Sequence, residues 1–246
     1  MPTKIKLSKD TLEILKNFSS INNTMGFQVG NNLKIISPSN SIAAIATISE
    51  TFPVPFSIYE MNRFLGVLSL QTLADADLAF EDDKKVVIES KQTKVNYFFS
   101  SQRFVDETAG KTPAYPRVDF VTTLDAATLD GLEKAASTLG HKILKIVAKG
   151  GKGQLIATSP EIDTSNDYII DLADVYAHPQ LDTPDLENKI FHDASQKIAA
   201  PDGEYSVKFE NIRILPGTYQ IMIASKMLVG FKHLERPIQY FVGLES

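Results

Sequence analysis

Apolar positions along the chain follow two rhythms. In three segments they recur at the helical period. The first runs from about Ser8 to Ile21, where Leu7, Thr11, Ile14, Leu15, Phe18 and Ile21 share one face and Lys9, Glu13, Lys16 and Ser20 the opposite one. Ser8 has the chemistry of an N-cap, because its hydroxyl can accept a bond from a free first-turn amide. The second runs from about Tyr59 to Leu70, with Met61, Phe64, Leu65 and Leu68 as its stripe and Arg63 pointing away. The third follows the capping residue Asp125 and stops at Gly140; Leu129, Leu132, Ala136 and Leu139 form its buried side and Lys134 faces outward.

Between the helices the rhythm is that of strands. The first half predicts Met25–Val29, Leu33–Ser37, Ile42–Ile48, Val86–Ser90 and Lys94–Phe99. The second half predicts Arg117–Leu124, Lys142–Lys149, Gln154–Ser159, Asp167–Ala173, Tyr205–Phe209, Thr218–Ser225 and Ile238–Leu244. Gly30-Asn31-Asn32 and Glu81-Asp82-Asp83 punctuate them as short turns. The expected class is α+β, with antiparallel sheets and few helices.

The polar, proline-containing stretch from Asp106 to Pro116 separates two halves of similar element order, each opening with a strand and a capped amphipathic helix. The domains expected are 1–107 and 117–246, joined by a linker at 108–116. The order strand–helix–strands also occurs twice inside the first half, as a repeat of pattern and not of residues. Val175–Asp202, polar and with prolines at 179, 184 and 201, reads as a long loop.

Charge narrows the function. The chain of 246 residues carries a formal net charge of −5 and no cysteine. Proteins that grip nucleic acid by their outer surface carry a basic excess, so any DNA role here must gather the cations on one face. The missing thiols exclude disulfides, cysteine nucleophiles and cysteine zinc sites. No apolar run is long enough for a membrane span, the start at Met1-Pro2-Thr3-Lys4 lacks a signal-peptide core, and a cytoplasmic setting is expected.

Catalytic signals are weak. Gly150-Gly151-Lys152-Gly153 lacks the spacing of a phosphate-binding loop and joins two strand-like runs, so it reads as a hairpin turn. His141, His178, His192 and His233 show no ligand spacing. Asp75 with Asp77, or Asp171 with Asp174, are carboxylate pairs of a common, solvated kind. No serine sits in a nucleophile-elbow setting. The expectation is a protein that is not an enzyme and needs no metal or cofactor.

Four patches resemble a known family, the sliding clamps of T-even-like tailed bacteriophages. They are Lys6-Leu7-Ser8-Lys9-Asp10-Thr11 with Leu15-Lys16-Asn17-Phe18 and Ile21-Asn22, the run Tyr59-Glu60-Met61-Asn62-Arg63-Phe64-Leu65-Gly66-Val67-Leu68-Ser69-Leu70, the run Asn211-Ile212-Arg213-Ile214-Leu215-Pro216-Gly217-Thr218-Tyr219 at the family's fourth, degenerate helical position, and the close Tyr240-Phe241-Val242-Gly243-Leu244-Glu245. The element order agrees along essentially the whole chain. The departures lie in the linker and in the 175–202 stretch, which is longer here.

The resemblance implies two similar clamp domains per chain, antiparallel sheets outside and helices inside, and a head-to-tail homotrimer closing as a six-domain ring. It implies sequence-independent, topological contact with double-stranded DNA, a DNA polymerase as cargo, an ATP-dependent clamp loader, and work in the infected host's cytoplasm. Lysines on a helix face are by themselves ordinary solvated side chains; the resemblance turns Lys9, Lys16, Arg63, Lys134, Arg213 and Lys226 towards the hole. Tyr97, Phe98 and Phe99, facing Tyr168 of a neighbour, become candidate subunit-interface residues, with internal packing as the alternative for each. Tyr115 and Pro116 with Phe241 and Val242 become candidate walls of a partner-peptide pocket, although burial in the core is the stronger expectation for Phe241. The competing reading is a non-enzymatic structural or assembly protein of a virion, which has no need of cation-bearing helix faces beside an acidic whole.

Overall fold

The structure is a computed structural model; it describes residues 3–73, 75–108, 118–159, 166–178, 198–224 and 227–245. Contacts divide the chain into two compact units, Met1–Thr112 and Pro113–Ser246.

The first unit is one pattern used twice. Its first run is β1 (Thr3–Ile5), α1 (Lys9–Ile21), β2 (Met25–Phe27), β3 (Gly30–Ile36) and β4 (Ile42–Phe52). Its second is β5 (Phe56–Ile58), α2 (Met61–Leu68), β6 (Asp77–Phe80), β7 (Lys85–Glu89) and β8 (Lys94–Phe98), followed by a short α3 (Arg103–Thr108). The two runs exchange their first strands. β1 joins the second run in the sheet β1-β6-β7-β8, and β5 pairs with β2 of the first. The exchange ties the halves together, since neither completes its hydrogen-bonded ladder alone.

The second unit repeats the device. Its first run is β9 (Val118–Leu124), α4 (Ala126–Leu139), β10 (Ile143–Lys149), β11 (Lys152–Thr158) and β12 (Tyr168–Asp174). A pair of short strands follows, β13 (Tyr176–His178) and β14 (Ile198–Ala199). Its second run is β15 (Gly203–Lys208), a single 3₁₀ turn at Phe209–Asn211 in the helical place, β16 (Tyr219–Ala224), β17 (Leu228–His233) and β18 (Ile238–Gly243). Again the first strands cross over: β15 pairs with β10 and β9 with β16.

Local chemistry explains the boundaries. The Ser8 Oγ accepts from the Thr11 amide at 3.2 Å, which starts α1. Asp125 does the same for α4, accepting from the Thr128 amide at 2.8 Å, and Gly140 ends that helix at φ 74°, a left-handed conformation. Gly150 and Gly151, at φ 57° and 77°, make the hairpin turn between β10 and β11, as their setting suggested.

Each unit has its own core. In the first, Ile14, Leu15 and Phe18 of α1 are fully buried, beside a cluster of rings in which Phe27 stacks on Phe56 at 4.3 Å and Phe56 on Phe99 at 4.9 Å. In the second, Phe120, Leu132, Ile146 and Leu155 are fully buried. Each such side chain contributes about 1.5–3 kcal/mol through burial.

Several expectations need correction. Gly30 does not sit in a turn but opens β3, opposite Phe52, at φ 113°. Leu139 at the end of α4 is 43% exposed rather than buried, since the helix runs out before its last stripe position meets a neighbour. The 175–202 stretch is not loop throughout: Tyr176 pairs with Val121 and with Ala199, so both its ends are strand. α3 runs into the start of the stretch read as polar linker, and Val105, just before that stretch, is buried. The remaining linker and residues 179–197 lie outside the described residues.

Candidate functional site

α1 presents Lys9 and Lys16 two turns apart, both exposed and neither ion-paired among the described residues. A carboxylate from β4's far end fixes the helix that carries them. Glu50 accepts from the Ser8 amide and from the Thr11 hydroxyl at the N-terminal turn, where the free amides and the helix dipole favour an anion. Burial pushes the Glu50 carboxyl up, but the bonds from Thr11 and Ser8 outweigh it and hold the pKa below the ordinary value.

The other cations sit beside acids. Arg63 of α2 is exposed and bonds Glu60 at 2.8 Å, one turn N-terminal. Lys134 of α4 bonds Asp130 at 2.5 Å, also one turn N-terminal. Glu133 lies next to this pair, its pKa raised by burial and then by Asp130. The exposed face of α1 likewise mixes Lys9 and Lys16 with Asp10 and Glu13. The helix faces are therefore mixed in sign.

The fourth helical place has no helix, yet it is firmly held. Pro216 cannot donate a helical bond, and the segment is tied by side chains instead. Tyr219 donates its hydroxyl to the Leu215 carbonyl at 2.5 Å, and the Leu215 amide donates to the Tyr240 hydroxyl at 3.2 Å. Burial raises the Tyr219 pKa strongly, so the phenol stays a donor. His233 packs against Tyr219, its Nδ1 accepting from the Glu235 and Arg236 amides. A Cβ on Gly217 would lie 2.1 Å from the His233 Nε2, so this approach requires glycine. Arg213 is exposed on the held segment, its Nε donating to the Glu210 carbonyl at 2.9 Å. Lys226 lies outside the described residues.

Two strands carry apolar side chains on an outer edge. β8 pairs only with β7 among the described strands, and Phe98 on it is 69% exposed. Tyr97 and Phe99 point the other way. Tyr97 meets Phe64 of α2 edge-on at 5.1 Å and its pKa is raised by burial, while Phe99 stacks in the ring cluster of the first unit. β12 is the outer strand of β12-β11-β10-β15, with Tyr168 37% and Ile169 53% exposed. The opposite margin of that sheet is covered, since Glu245 donates its amide to the Ser206 carbonyl alongside β15. Sequence reasoning missed Ile169, whose exposure depends on β12 being an edge.

Of the pocket candidates, Tyr115 and Pro116 lie outside the described residues. Phe241 and Val242 are 3% and 0% exposed on β18 and offer little surface. No helix among the described residues is long and apolar enough to cross a membrane.

Comparison with known proteins bears on the whole arrangement. Residues 8–102 match the family model of the DNA polymerase processivity factor. The sliding clamp of Vibrio phage KVP40 is 29% identical over 98% of this chain and all of its own length. That of Enterobacteria phage T4 is 25% identical over 98% of this chain and 97% of its own. Among solved structures, A. fulgidus PCNA bound to the C-terminal region of FEN-1 superposes with a TM-score of 0.69 at 10% identity, covering 100% of this chain and 99% of that one. Over nearly its full length the chain is similar to these phage sliding clamps, the likeness that the N-terminal and α2 patches indicated.

Proposed function

We propose that this chain is a sliding clamp: a subunit of a ring that encircles duplex DNA and tethers the replicative polymerase during processive synthesis. The carrying observation is the whole-length match to phage sliding clamps, on a chain whose two units each pair two runs that exchange their first strands. The activity is mechanical. The ring neither makes nor breaks a bond, and it requires no cofactor.

The ring is a head-to-tail homotrimer, opened and closed on DNA by an ATP-dependent loader in the host cytoplasm. One subunit's β8 meets β12 of the next, with Phe98 against Tyr168 and Ile169 as the apolar contact. Unsatisfied backbone groups on both edges favour such an addition. Tyr97 and Phe99 act behind β8 by holding it on α2 and on the ring cluster. A partner peptide docks near Tyr115 and Pro116; Phe241 and Val242, buried on β18, belong to the core and not to the docking surface.

Lys9, Lys16, Arg63, Lys134, Arg213 and Lys226 face the hole. A unit charge pair 4 Å apart in water is worth about 1 kcal/mol, and salt screens it beyond roughly 8–10 Å. Such contacts centre a duplex without fixing its position, and linkage does the holding.

Native mass measurement of the full chain at micromolar concentration tests the assembly. A trimer is expected, and a monomer at every concentration contradicts the proposal. Reversal of both Lys9 and Lys16 to glutamate is expected to reduce clamp-dependent processivity at physiological salt, and unchanged processivity removes their assigned role.

A further inference from the structure

Four cations at helical places have an acid about one turn before them, Glu13 before Lys16, Glu60 before Arg63, Asp130 before Lys134 and Glu210 before Arg213, whereas Lys9 of α1 and Arg103 of α3 have none. Three of the cations stand on α1, α2 and α4 and the fourth just after the 3₁₀ turn, so that both units carry two. Two of the pairs close as ion pairs, at 2.8 Å and 2.5 Å. The other two repeat the spacing, and in the last the Arg213 guanidinium folds back onto the Glu210 carbonyl.

An exposed pair at this spacing adds only about 0.2–0.5 kcal/mol to a helix, which does not account for its use where the fourth place has no α-helix to stabilise. Its effect on an approaching phosphate is larger. A lone cation attracts the phosphate as a full charge, whereas a cation with an acid one turn away presents a dipole. At the water-separated distances of a loose ring the dipole field falls off faster, and salt screening removes most of the remainder.

We propose that Glu13, Glu60, Asp130 and Glu210 are charge masks that keep the cations of the helix faces from gripping DNA phosphate. The inference rests on the clamp reading and adds to it a property of this chain: a lining whose positive charge is partly offset, so that adhesion is weakened and the ring slides. Neutralising the masks should turn a ring that holds by linkage into one that also sticks.

The test uses the full-length chain and a short, blunt linear duplex of random sequence, onto which a ring can thread without a loader. Wild type is compared with the quadruple variant Glu13→Gln, Glu60→Gln, Asp130→Asn, Glu210→Gln by fluorescence anisotropy across a salt series. A control neutralises as many exposed acids away from these places, at Glu81, Asp83, Glu204 and Glu235. The mask variant is expected to bind about tenfold or more tighter than wild type at ~50 mM salt. Its log–log salt slope should be steeper, since each new phosphate contact adds about 0.9 to it. Adding Lys134→Gln and Arg63→Gln to the mask variant should return most of the gain. Equal affinity of mask variant and wild type overturns the inference, and so does an equal gain in the control, which would make the effect one of net charge alone. Native mass on the same samples separates the two levels: a trimeric wild type whose mask variant binds no better leaves the clamp reading standing and removes the masks, whereas a monomeric wild type removes both.

Discussion

Glu50 is where two donors at the start of α1 and one from β4 itself meet one carboxylate. The Ser8 amide, the Thr11 hydroxyl and, at 3.0 Å, the Ser49 hydroxyl all give bonds to it. Hydrogen bonds to a charged acceptor each contribute about 1.5–3 kcal/mol when well formed. Glu50→Gln is therefore expected to lower stability by roughly 1–2 kcal/mol at pH 7, read as a fall in thermal midpoint. The pH dependence has a definite sign. The folded pKa lies below the unfolded one, so the contribution is fully present above the unfolded carboxylate range and is lost as pH falls through the folded value. Wild type and variant should differ at pH 7 and converge in acid; a constant difference would point to packing. Gly217 is the second residue with a narrow tolerance. With the His233 ring 2.1 Å from where a Cβ would stand, Gly217→Ala must displace a buried imidazole. A loss of about 2 kcal/mol or more is expected in a denaturant titration, and a variant as stable as wild type would show that the ring moves aside at little cost.

Among the elements, β8 separates two kinds of aromatic residue. Phe98 is exposed on the outer face while Phe99 belongs to the ring cluster. Phe98→Asp should dissociate the assembly and leave the thermal midpoint of the chain near that of wild type. Phe99→Asp should lower the midpoint by several degrees, because it places a charge among Phe56 and Phe80. Native mass and melting measured side by side check both; equal behaviour of the two variants would contradict the division. This division was not legible in the chain's rhythm, since Tyr97, Phe98 and Phe99 are consecutive and a strand's alternation fixes two faces without saying which is inward. The long helices were legible, because Ser8, Asp125 and Gly140 mark their ends chemically and their apolar stripes are wide. β1, β5, β6 and β17 were not. The first three span three or four residues each, and β17 carries Gly230 at its middle, so pairing with a neighbour and not local propensity decides them. Of the candidate cations, the exposure of Lys9, Lys16, Arg63 and Lys134 followed from helical periodicity. The acids that neutralise two of them were visible at the same spacing, but only paired side chains reveal their effect.

For the whole molecule, an acidic chain and a DNA function are reconciled by enclosure. On the proposed clamp reading, a net charge of −5 per chain discourages binding of DNA to the outside, and helix faces of mixed sign turned to the hole give little adhesion. What holds the ring is then closure alone, a property that no contact energy measures. The direct measurement is retention of the loaded full-length ring on a nicked circular duplex, followed by linearisation at a single site. The account predicts that the ring stays on the circle through a wash at high salt and is lost within minutes of cutting by running off the new ends. A ring lost equally from circle and line, or one held on the linear duplex in high salt, would contradict it.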